Sequence, residues 1–587
     1  MTQAEGVFMS DNTHRTLSHV LRLRRLGIDT YQEPVIYMRN DCHVCRAEGF
    51  EAQSRVQVAL NNHSIVATLN VVTGELLALD EAGLSEAAWR LLGARAGDAV
   101  ILSHPPVLES LSLVRAKVYG KRLGGGDMRA IVRDIAAGRY ADIHLSAFIA
   151  ACAGDRLDLA ETIALTRAMI DAGERLAWGR SPVVDKHCVG GLPGNRTTLI
   201  VVPIVAAFGL TMPKTSSRAI TSPAGTADVM ATLTEVELDV PAMRRVVERE
   251  GGCIVWGGAV RLSPADDILI RVERPLDLDS EGQLVASVLS KKAAAGSSHV
   301  VIDIPVGETA KVRSREAAQA LSHRLVETGR AIGLTVQTVV TDGTQPVGRG
   351  IGPALEARDV LAVLRREAGA PADLRERALQ LAGAVLEFAP GVAPGAGVRR
   401  ARDILDDGRA WNKFAAICAA QGGLRAPPVA AYTQAVAAAR RGRVTAIDNR
   451  RLARVAKLAG APRAPAAGVE LHAPLGTLVE QGQTAAYVPF EICNPDVCAP
   501  VRTVYYAIAS EGHVPTTIPG SSVDLLAGSC GTVYAVLNAG AGPGDVVVVR
   551  VHWEAVNWAA AAANLFPGLF NDTLRGEAVA AYRVEGW

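Results

Sequence analysis

Between residue 182 and about residue 340, short runs rich in Val and Ile alternate with segments whose apolar residues recur at helical spacing. The order begins with "PVVDKH", continues through "TTLIVVPIVAAFGL", "TMPKTSS" and "AGTADVMATL", and reaches "HVVIDIPVG" before another helical pattern. Strands and helices that take turns in this way favour a layered α/β core with crossover connections. We therefore predict an α/β multidomain fold whose central α/β domain covers residues 182–390.

The rest of the chain divides by pattern into four further segments. Residues 1–115 place short β-rich runs between turns and predict a β-rich N-terminal domain, whereas residues 116–181 predict an all-α domain. Helices from later in the chain could return to that all-α domain. Residues 391–488 predict a C-terminal α+β domain. Residues 489–587 contain no lysine and form a tail to which the sequence assigns no role.

Composition argues against several classes of partner and location. A formal net charge of +1 with 4% aromatic residues provides neither a basic face nor stacking platforms, so we expect no nucleic acid. The most apolar stretch, residues 197–210, is too short to cross a bilayer and contains Pro203, so we expect no membrane span. No signal-peptide pattern is evident, and 9 cysteines in 587 residues are no disulfide framework. These features predict a cytoplasmic protein.

The loop "VVDKHCVGGLPGNRTT", residues 183–198, has the order strand, glycine turn, apolar helix. Backbone amides of Gly190, Gly191 and the helix start could converge on an anion, with Lys186 adding a positive charge. The alternative is that the glycines only make a tight turn and that Lys186 faces solvent. The loop is not a P-loop, because it lacks the Gly-Lys-Ser/Thr ending of that motif.

A second loop of this kind follows in "KTSSRAITSPAGTADVM". Arg218 supplies a charge, and hydroxyl side chains are supplied by Ser216, Ser217, Thr221, Ser222 and Thr226. Hydroxyl clusters in loops are usually turn formers. Two such clusters in one α/β unit would lie at the same edge of the sheet, where these folds bind ligands.

A third stretch, "DSEGQLVASVLSKKAAAG", predicts a helix over 281–295, with a capping box that begins at Ser280 and a stop at Gly296. Ser287 and Lys291 are four residues apart and share one face of that helix. Such a pair is more often solvated than functional, but its position after two anion-type loops favours a site.

Other motifs carry less weight. "CHVC" has the spacing of a metal pair without a second pair nearby, so we expect ordinary thiols and no metal. "GRGIGP" has a proline where the third glycine of a dinucleotide fingerprint should lead into a helix.

The stretches "DKHCVGGLPGN", "TSSRAITSPAGTAD", "ASVLSKK" and "TDGTQPVGRGIGPALE" occur in this order. The combination resembles the thymidine/pyrimidine-nucleoside phosphorylase family. The leading segment "MRNDCHVCRAEGFEA" makes it similar to the type 2 subfamily, which holds AMP phosphorylases and bacterial thymidine phosphorylases. The resemblance extends from about residue 15 to about residue 485. It leaves about 100 residues unmatched, so a fusion, a structural appendage or a change of reading frame stays open.

The resemblance implies an α domain and an α/β domain separated by a cleft, with phosphate on the α/β side. By resemblance, phosphate would be bound by Lys186, Cys188, Gly190, Gly191, Ser216 and Thr226. Substrate contacts would come from His187, Ser217, Arg218, Ala219, Ile220, Thr221, Ser222, Arg271, Ser287 and Lys311. The catalytic residues would be Asp279, which matches a proton donor, and Lys291. Cys188 stands where the family commonly has serine. A thiol is the poorer hydrogen-bond donor, so phosphate affinity could suffer unless the neighbouring amides suffice.

The resemblance further implies a homodimer or larger homo-oligomer that needs no cofactor, with inorganic phosphate as co-substrate. The expected reaction converts thymidine and phosphate to thymine and 2-deoxyribose 1-phosphate. Asp279 would either donate a proton, with its pKa raised by burial, or stay ionised and orient Lys291.

Three alternatives stay open. An AMP phosphorylase would produce adenine and ribose 1,5-bisphosphate and would need a second cationic pocket, for which Arg218 and Lys311 are candidates. A magnesium-dependent phosphoribosyltransferase of the anthranilate type could use Asp266 and Asp267, although "SPADD" more simply caps a helix. The third alternative is a non-catalytic nucleotide binder.

Overall fold

The computed structural model describes residues 19–219, 222–260, 262–276, 278 and 280–490, and four later segments as backbone strands. Its first part is a closed six-stranded barrel in the order β1-β5-β2-β4-β3-β6. The strands are β1 (Val20–Arg25), β2 (Val35–Arg39), β3 (Arg55–Leu60), β4 (His63–Val72), β5 (Glu81–Leu84) and β6 (Ala99–Ser103). Two short helices accompany them, α1 (His43–Glu48) and α2 (Glu86–Leu92). Every second residue of β3 is buried, as a strand with one face on a core requires.

A group of helices follows the barrel. Its members are α3 (Ser110–Val118), α4 (Gly125–Ala136), α5 (Asp142–Cys152) and α6 (Leu159–Asp171). Helix α4 buries Met128, Ile131, Val132 and Ile135, whose spacing places them on one face. This apolar stripe packs on residues of α5 and α6 and forms the core of the helical part.

The next part of the chain alternates strands and helices. The strands are β7 (Val184–Cys188), β8 (Met212–Ser216), β9 (Gly252–Trp256), β10 (His299–Val306) and β11 (Thr335–Asp342). The helices are α7 (Thr198–Phe208), α8 (Thr226–Ala231), α9 (Val240–Glu250), α10 (Pro264–Leu276), α11 (Glu281–Ala294) and α12 (Arg315–Ala331).

These strands form two small parallel sheets, β11-β10-β7 and β8-β9. A parallel bridge between Val183 and Thr211 joins them, so that the strand order is β11-β10-β7-β8-β9. The carboxyl ends of all five strands therefore point to one edge. The loops that follow β7, β8 and β10 begin at that edge, which is where ligands bind in open α/β folds.

The remaining elements complete the α/β core and add a second sheet. The helices are α13 (Pro353–Arg365), α14 (Ala372–Leu386), α15 (Gly397–Asp406), α16 (Arg409–Ala420) and α17 (Asn449–Leu458). The strands are β12 (Gly350–Ile351), β13 (Tyr432–Ala437), β14 (Gly442–Arg443), β15 (Val469–Leu471), β16 (Leu478–Val479) and β17 (Thr484–Phe490). Helix α7 is almost fully buried and packs with α14 and α16 in the largest hydrophobic core. Strands β12, β15, β17 and β13 form a four-stranded sheet.

The tail contributes four strands, β18 (Val501–Ala509), β19 (Thr516–Thr517), β20 (Val546–Ala555) and β21 (Leu574–Arg583). They pair in the order β19-β18-β20-β21, and all pairs are antiparallel.

The chain forms two compact units, one of residues 1–172 and 263–286, the other of residues 173–262 and 287–587. Helix α10 and the start of α11 thus belong with the helices that follow the barrel, and the division between the units falls inside α11. The domain boundaries read from the sequence stay predictions. In the part of the chain that the structure describes, no helix is both long and apolar enough to cross a membrane.

Candidate active site

The glycine loop after β7 makes a tight contact with the loop after β10. Gly190 and Gly191 have φ angles of +93° and +80°, in the left-handed region that favours glycine. A Cβ atom on Gly191 would lie 2.5 Å from the backbone nitrogen of Lys311, so no larger residue fits without moving one of the loops. The close approach places the backbone of Lys311 beside the predicted phosphate loop.

Lys186 lies inside the protein rather than in solvent. Its side chain is almost fully buried, and its Nζ donates a hydrogen bond to Thr197 Oγ1 at 2.7 Å. Burial lowers the pKa of this ammonium, while the Asp303 carboxylate opposes the shift. A cation held away from water at the start of α7 can be stabilised by an anion at the same place. The solvent-facing alternative for Lys186 is therefore wrong.

A hydrogen-bonded chain holds the loop around Lys186. Thr197 Oγ1 donates to Asn195 Oδ1 at 3.2 Å, and Asn195 Nδ2 donates to Asp303 Oδ2 at 3.0 Å. Thr341 Oγ1 donates to the other oxygen of Asp303 at 2.6 Å. Strands β10 and β11 thus fix the position of the loop that leaves β7. The side chains of Asn195 and Asp303 were not among the predicted site residues, because the hydrogen bond between them joins residues that are 108 positions apart.

Cys188 is half-buried at the end of β7. Its Sγ accepts hydrogen bonds from Gly190 N at 3.4 Å and from Asn195 Nδ2 at 3.3 Å. Burial, reinforced by the Asp303 carboxylate, raises the pKa of the thiol to about 12. Cys188 is therefore a neutral thiol at physiological pH, a weak donor where a serine would place a hydroxyl.

The loop after β8 is held by one carboxylate. Asp228 Oδ2 accepts from Ala219 N at 2.6 Å and from Gly225 N at 2.9 Å. Arg218 donates to Asp228 Oδ1 at 3.3 Å and to Glu237 Oε1 at 2.8 Å, and lies over the Trp256 ring. The guanidinium of Arg218 is thus already paired with two carboxylates.

The hydroxyl groups of the same loop have different environments. Ser216 Oγ is buried and has no hydrogen-bond partner among the described residues, so it can donate to a ligand. Ser222 Oγ donates to Ala224 O at 2.9 Å, as a turn-forming residue does. The backbone carbonyl of Ser217 accepts from Ala227 N at 3.3 Å. Thr226 is the first residue of α8. Ile220 and Thr221 lie outside the described residues.

Helix α11 carries the third group of predicted site residues. It starts as predicted after Ser280, whose Oγ accepts from Gln283 N at 3.3 Å. Ser287 and Lys291 are both half-buried. The predicted proton donor Asp279 lies outside the described residues.

Arg271, one of the predicted substrate contacts, forms a two-pronged ion pair with Asp142. Its Nη1 lies 2.7 Å from Oδ2 and its Nη2 lies 2.5 Å from Oδ1. Both residues belong to the unit that contains the helical part, whereas Ser287 and Lys291 belong to the other unit.

His187 is a neutral imidazole. Burial lowers its pKa well below 6.5, and four ammonium groups lower it further, those of Lys292, Lys214, Lys186 and Lys291. It can therefore offer one N–H donor and one acceptor to a ligand, but no positive charge.

A buried ionic cluster of Asp185 with Lys214 and Lys292 was not predicted from the sequence. The Asp185 carboxylate lies 3.2 Å from Lys214 Nζ and 2.8 Å from Lys292 Nζ. Burial lowers the pKa of the Lys214 ammonium against the opposing effect of Asp185. A lysine in the middle of β8, a buried strand of the α/β core, was the signal that could have pointed to this cluster, because a lysine buried there requires a partner.

The residues that were considered as metal ligands lie at the starts of helices. Cys42 caps α1, accepting from Cys45 N at 3.3 Å. Asp266 and Asp267 lie in the first turn of α10, where the helix dipole favours carboxylates. Among the described residues, no group of three or more His, Cys, Asp or Glu side chains is arranged to hold a metal ion.

Comparison with known proteins matches two parts of the chain to family descriptions. Residues 180–411 match "Glycosyl transferase family, a/b domain", and residues 111–173 match "Glycosyl transferase family, helical bundle domain". A crystal structure of anthranilate phosphoribosyltransferase from Thermus thermophilus aligns with 52% of this chain and 98% of its own, with 21% identity and a TM-score of 0.45.

Three relatives match over most of their length. The chain is 69% identical over 465 residues to "Putative thymidine phosphorylase" of Polaromonas sp. (strain JS666), which covers 79% of this chain and 91% of the relative. It is 68% identical over 478 residues to "Putative thymidine phosphorylase 1" of Acidovorax sp. (strain JS42), covering 81% and 94%. It is 61% identical over 478 residues to "Putative thymidine phosphorylase" of Legionella pneumophila (strain Corby), covering 81% and 92%.

Proposed function

Because the chain belongs to the thymidine/pyrimidine-nucleoside phosphorylase family, we propose that it cleaves the N-glycosidic bond of a pyrimidine nucleoside with inorganic phosphate. Family membership makes it a pentosyltransferase. In the proposed reaction, a phosphate oxygen attacks the anomeric carbon of thymidine, the bond to the base breaks, and thymine and 2-deoxyribose 1-phosphate form.

The observation that carries this proposal is the buried Lys186 ammonium below a glycine loop at the carboxyl edge of the sheet. A nucleophilic phosphate needs cations and hydrogen-bond donors that hold it in line with the carbon it attacks. Lys186 provides the charge, the unpartnered Ser216 hydroxyl provides a donor, and the loop at Gly190 and Gly191 provides backbone amides. Cys188 and Thr226 complete the proposed phosphate site.

The leaving base needs donors that neutralise the charge it acquires. We assign this role to Lys291, to Asp279 and to the neutral imidazole of His187. Ser287, Arg271 and residues 217–222 complete the proposed substrate contacts. No step of this scheme uses a cofactor. The cytoplasmic location and the homo-oligomeric state stay predictions, and the latter is tested by light scattering of the purified protein.

AMP is the second candidate substrate, and one observation favours it. The backbone of Lys311 packs on Gly191, so a long cationic side chain starts beside the proposed phosphate loop and could bind a 5′-phosphate. Arg218, the other candidate for that role, is already paired with Asp228 and Glu237.

The test is release of free base by the purified protein from a panel of nucleosides and nucleoside monophosphates, with and without phosphate. We expect phosphate-dependent release of thymine that EDTA leaves unchanged. Release from AMP in preference to thymidine would favour the second substrate, and loss of activity with EDTA would favour the phosphoribosyltransferase alternative. Binding of ligands without any release of base would refute the proposal.

A further inference from the structure

Asp185, Lys214 and Lys292 form a buried ionic cluster beside the proposed phosphate site. The Asp185 side chain is 0% exposed and both lysine side chains are 4% exposed. Removing three charges from water is costly, and replacing buried ion pairs by apolar residues often leaves a protein equally stable. Stability alone is therefore a weak explanation for this cluster.

The cluster joins three elements that each carry proposed substrate residues. Asp185 lies on β7 directly before Lys186 and His187. Lys214 lies on β8 two residues before Ser216, and Lys292 lies on α11 directly after Lys291. Each charged group of the cluster is therefore within two residues of a proposed contact to phosphate or nucleoside.

Few backbone contacts connect β7 to β8. Strands β7 and β8 belong to separate sheets, and in the described part of the chain their backbones meet at the bridge between Val183 and Thr211, where Val184 N donates to Thr211 O at 2.9 Å. That bridge precedes both strands, far from their carboxyl ends. Closer to those ends, the Lys214–Asp185 ion pair spans the two strands at 3.2 Å.

We propose that Asp185, Lys214 and Lys292 are positioning residues, with Lys214 fixing the phosphate-binding end of β8 and Lys292 fixing the nucleoside-binding face of α11, both against β7. This inference rests on the proposed function and adds residues to it that contact neither substrate. Apolar packing would hold the three elements together but would let them slide, whereas ion pairs at these distances fix their separation. Displacements of about 1 Å in such sites can lower rates by about 100-fold.

The proposal predicts that substitution of each lysine raises the KM for a different substrate. Lys214→Met removes the link to β8 and leaves Asp185 paired with Lys292. We expect the KM for phosphate to rise about tenfold, while the KM for the nucleoside changes by less than about twofold. Lys292→Met removes the link to α11 and leaves Asp185 paired with Lys214. The KM for the nucleoside should then rise about tenfold, with little change for phosphate.

A matched control is available in the same unit. Lys413 pairs with Glu250 at 3.0 Å and is partly buried, but it links α16 to the end of α9, away from the carboxyl edge of the sheet. Lys413→Met should change neither KM by more than about twofold. Thermal unfolding of all variants shows whether they fold.

Steady-state kinetics with each substrate varied in turn measures both KM values in the wild type and in each variant. Rises of both KM values together in both lysine variants, or no change in either, would overturn the cluster as a positioning device. Should the methionine variants not fold, Lys214→Arg and Lys292→Arg keep the charge, and a smaller split in the same two directions is expected; equal effects on both substrates would again overturn the proposal. If the wild-type protein releases no base, the proposed function fails and this inference fails with it. If the wild-type protein releases base but the Lys214 and Lys292 variants do not raise the KM values of different substrates, this inference fails while the proposed function stands.

Discussion

At the scale of single residues, the Lys186 ammonium is removed from water and donates to one threonine hydroxyl. A charged hydrogen bond to a buried phosphate is worth about 1.5–3 kcal/mol. We therefore expect Lys186→Ala to raise the KM for phosphate by roughly tenfold to 100-fold. Lys121, which is exposed in the helical part, provides the control, since Lys121→Ala should leave the kinetics unchanged. Wild-type phosphate kinetics in Lys186→Ala would remove Lys186 from the site.

Cys188 permits a test in the opposite direction, because the pKa of its thiol is raised to about 12 and the group stays neutral. A hydroxyl donates a stronger hydrogen bond than a thiol. We expect Cys188→Ser to lower the KM for phosphate by a few-fold and Cys188→Ala to raise it. The two variants are compared by phosphate titration at saturating nucleoside. An increase in the KM on changing Cys188 to serine would show that the thiol makes no contact that a hydroxyl can improve.

At the scale of elements, the close contact between the loops after β7 and β10 leaves no room for a larger side chain at Gly191. Gly190 and Gly191 share a positive φ, but a Cβ on Gly190 would meet nothing within 4 Å, whereas one on Gly191 would meet the Lys311 backbone at 2.5 Å. Gly190→Ala is therefore destabilised only by the left-handed backbone conformation, at about 1–2 kcal/mol, without a steric clash. We expect Gly191→Ala to lower the Tm further and to raise the KM for phosphate more than Gly190→Ala does. Equal effects would mean that the loops yield without cost.

Glu356 pairs with Arg196, which ties the loop after β7 to α13, and the burial of the Glu356 carboxyl group gives stability a pH dependence. Burial raises the pKa of Glu356 from 4.5 to about 7, although Arg196 opposes the shift. Between these two pH values the unfolded chain releases the proton while the folded protein retains it, so folding loses stability as pH rises. The loss is roughly 1.4 kcal/mol for each pKa unit of difference.

Glu356→Gln removes this titration. The Tm of the wild type relative to the variant should fall as pH rises from 4.5 to about 7 and then stay constant. Exposed Glu367 serves as the control, because Glu367→Gln should give a difference in Tm that changes little over the same range. Thermal unfolding at a series of pH values measures both. A Tm difference for Glu356→Gln that does not vary with pH would contradict the shifted pKa.

Local signals predicted some elements well and distant partners poorly. The start of α11 could be predicted because a capping side chain and the backbone amide that donates to it are three residues apart, and in the structure Gln283 N donates to Ser280 Oγ. The burial of Lys186 and the Asp185 cluster could not, because their partners come from other strands and from α11. A strand pattern in the sequence indicates that a residue is buried, but it does not show which charged side chain of another element pairs with that residue.

At the scale of the whole molecule, each of the two compact units is built from two separate segments of the chain. The alternation of strands and helices predicted an α/β core with crossover connections, since β-branched runs and apolar helices are visible in sequence, and the strands of that core are parallel. The return of residues 263–286 to the unit of the barrel and helices could be expected only in general terms, because no change of composition marks residue 263 or residue 287.

The most direct test of the proposed phosphorolysis follows both products in one sample. Purified protein is incubated with thymidine and inorganic phosphate, sugar phosphate is recorded by phosphorus NMR, and thymine is recorded by chromatography. We predict equal amounts of thymine and 2-deoxyribose 1-phosphate, with neither formed when phosphate is omitted. Thymine without sugar phosphate would show hydrolysis instead. No thymine from thymidine and no base from any other nucleoside or nucleotide would contradict the proposed phosphorolysis outright.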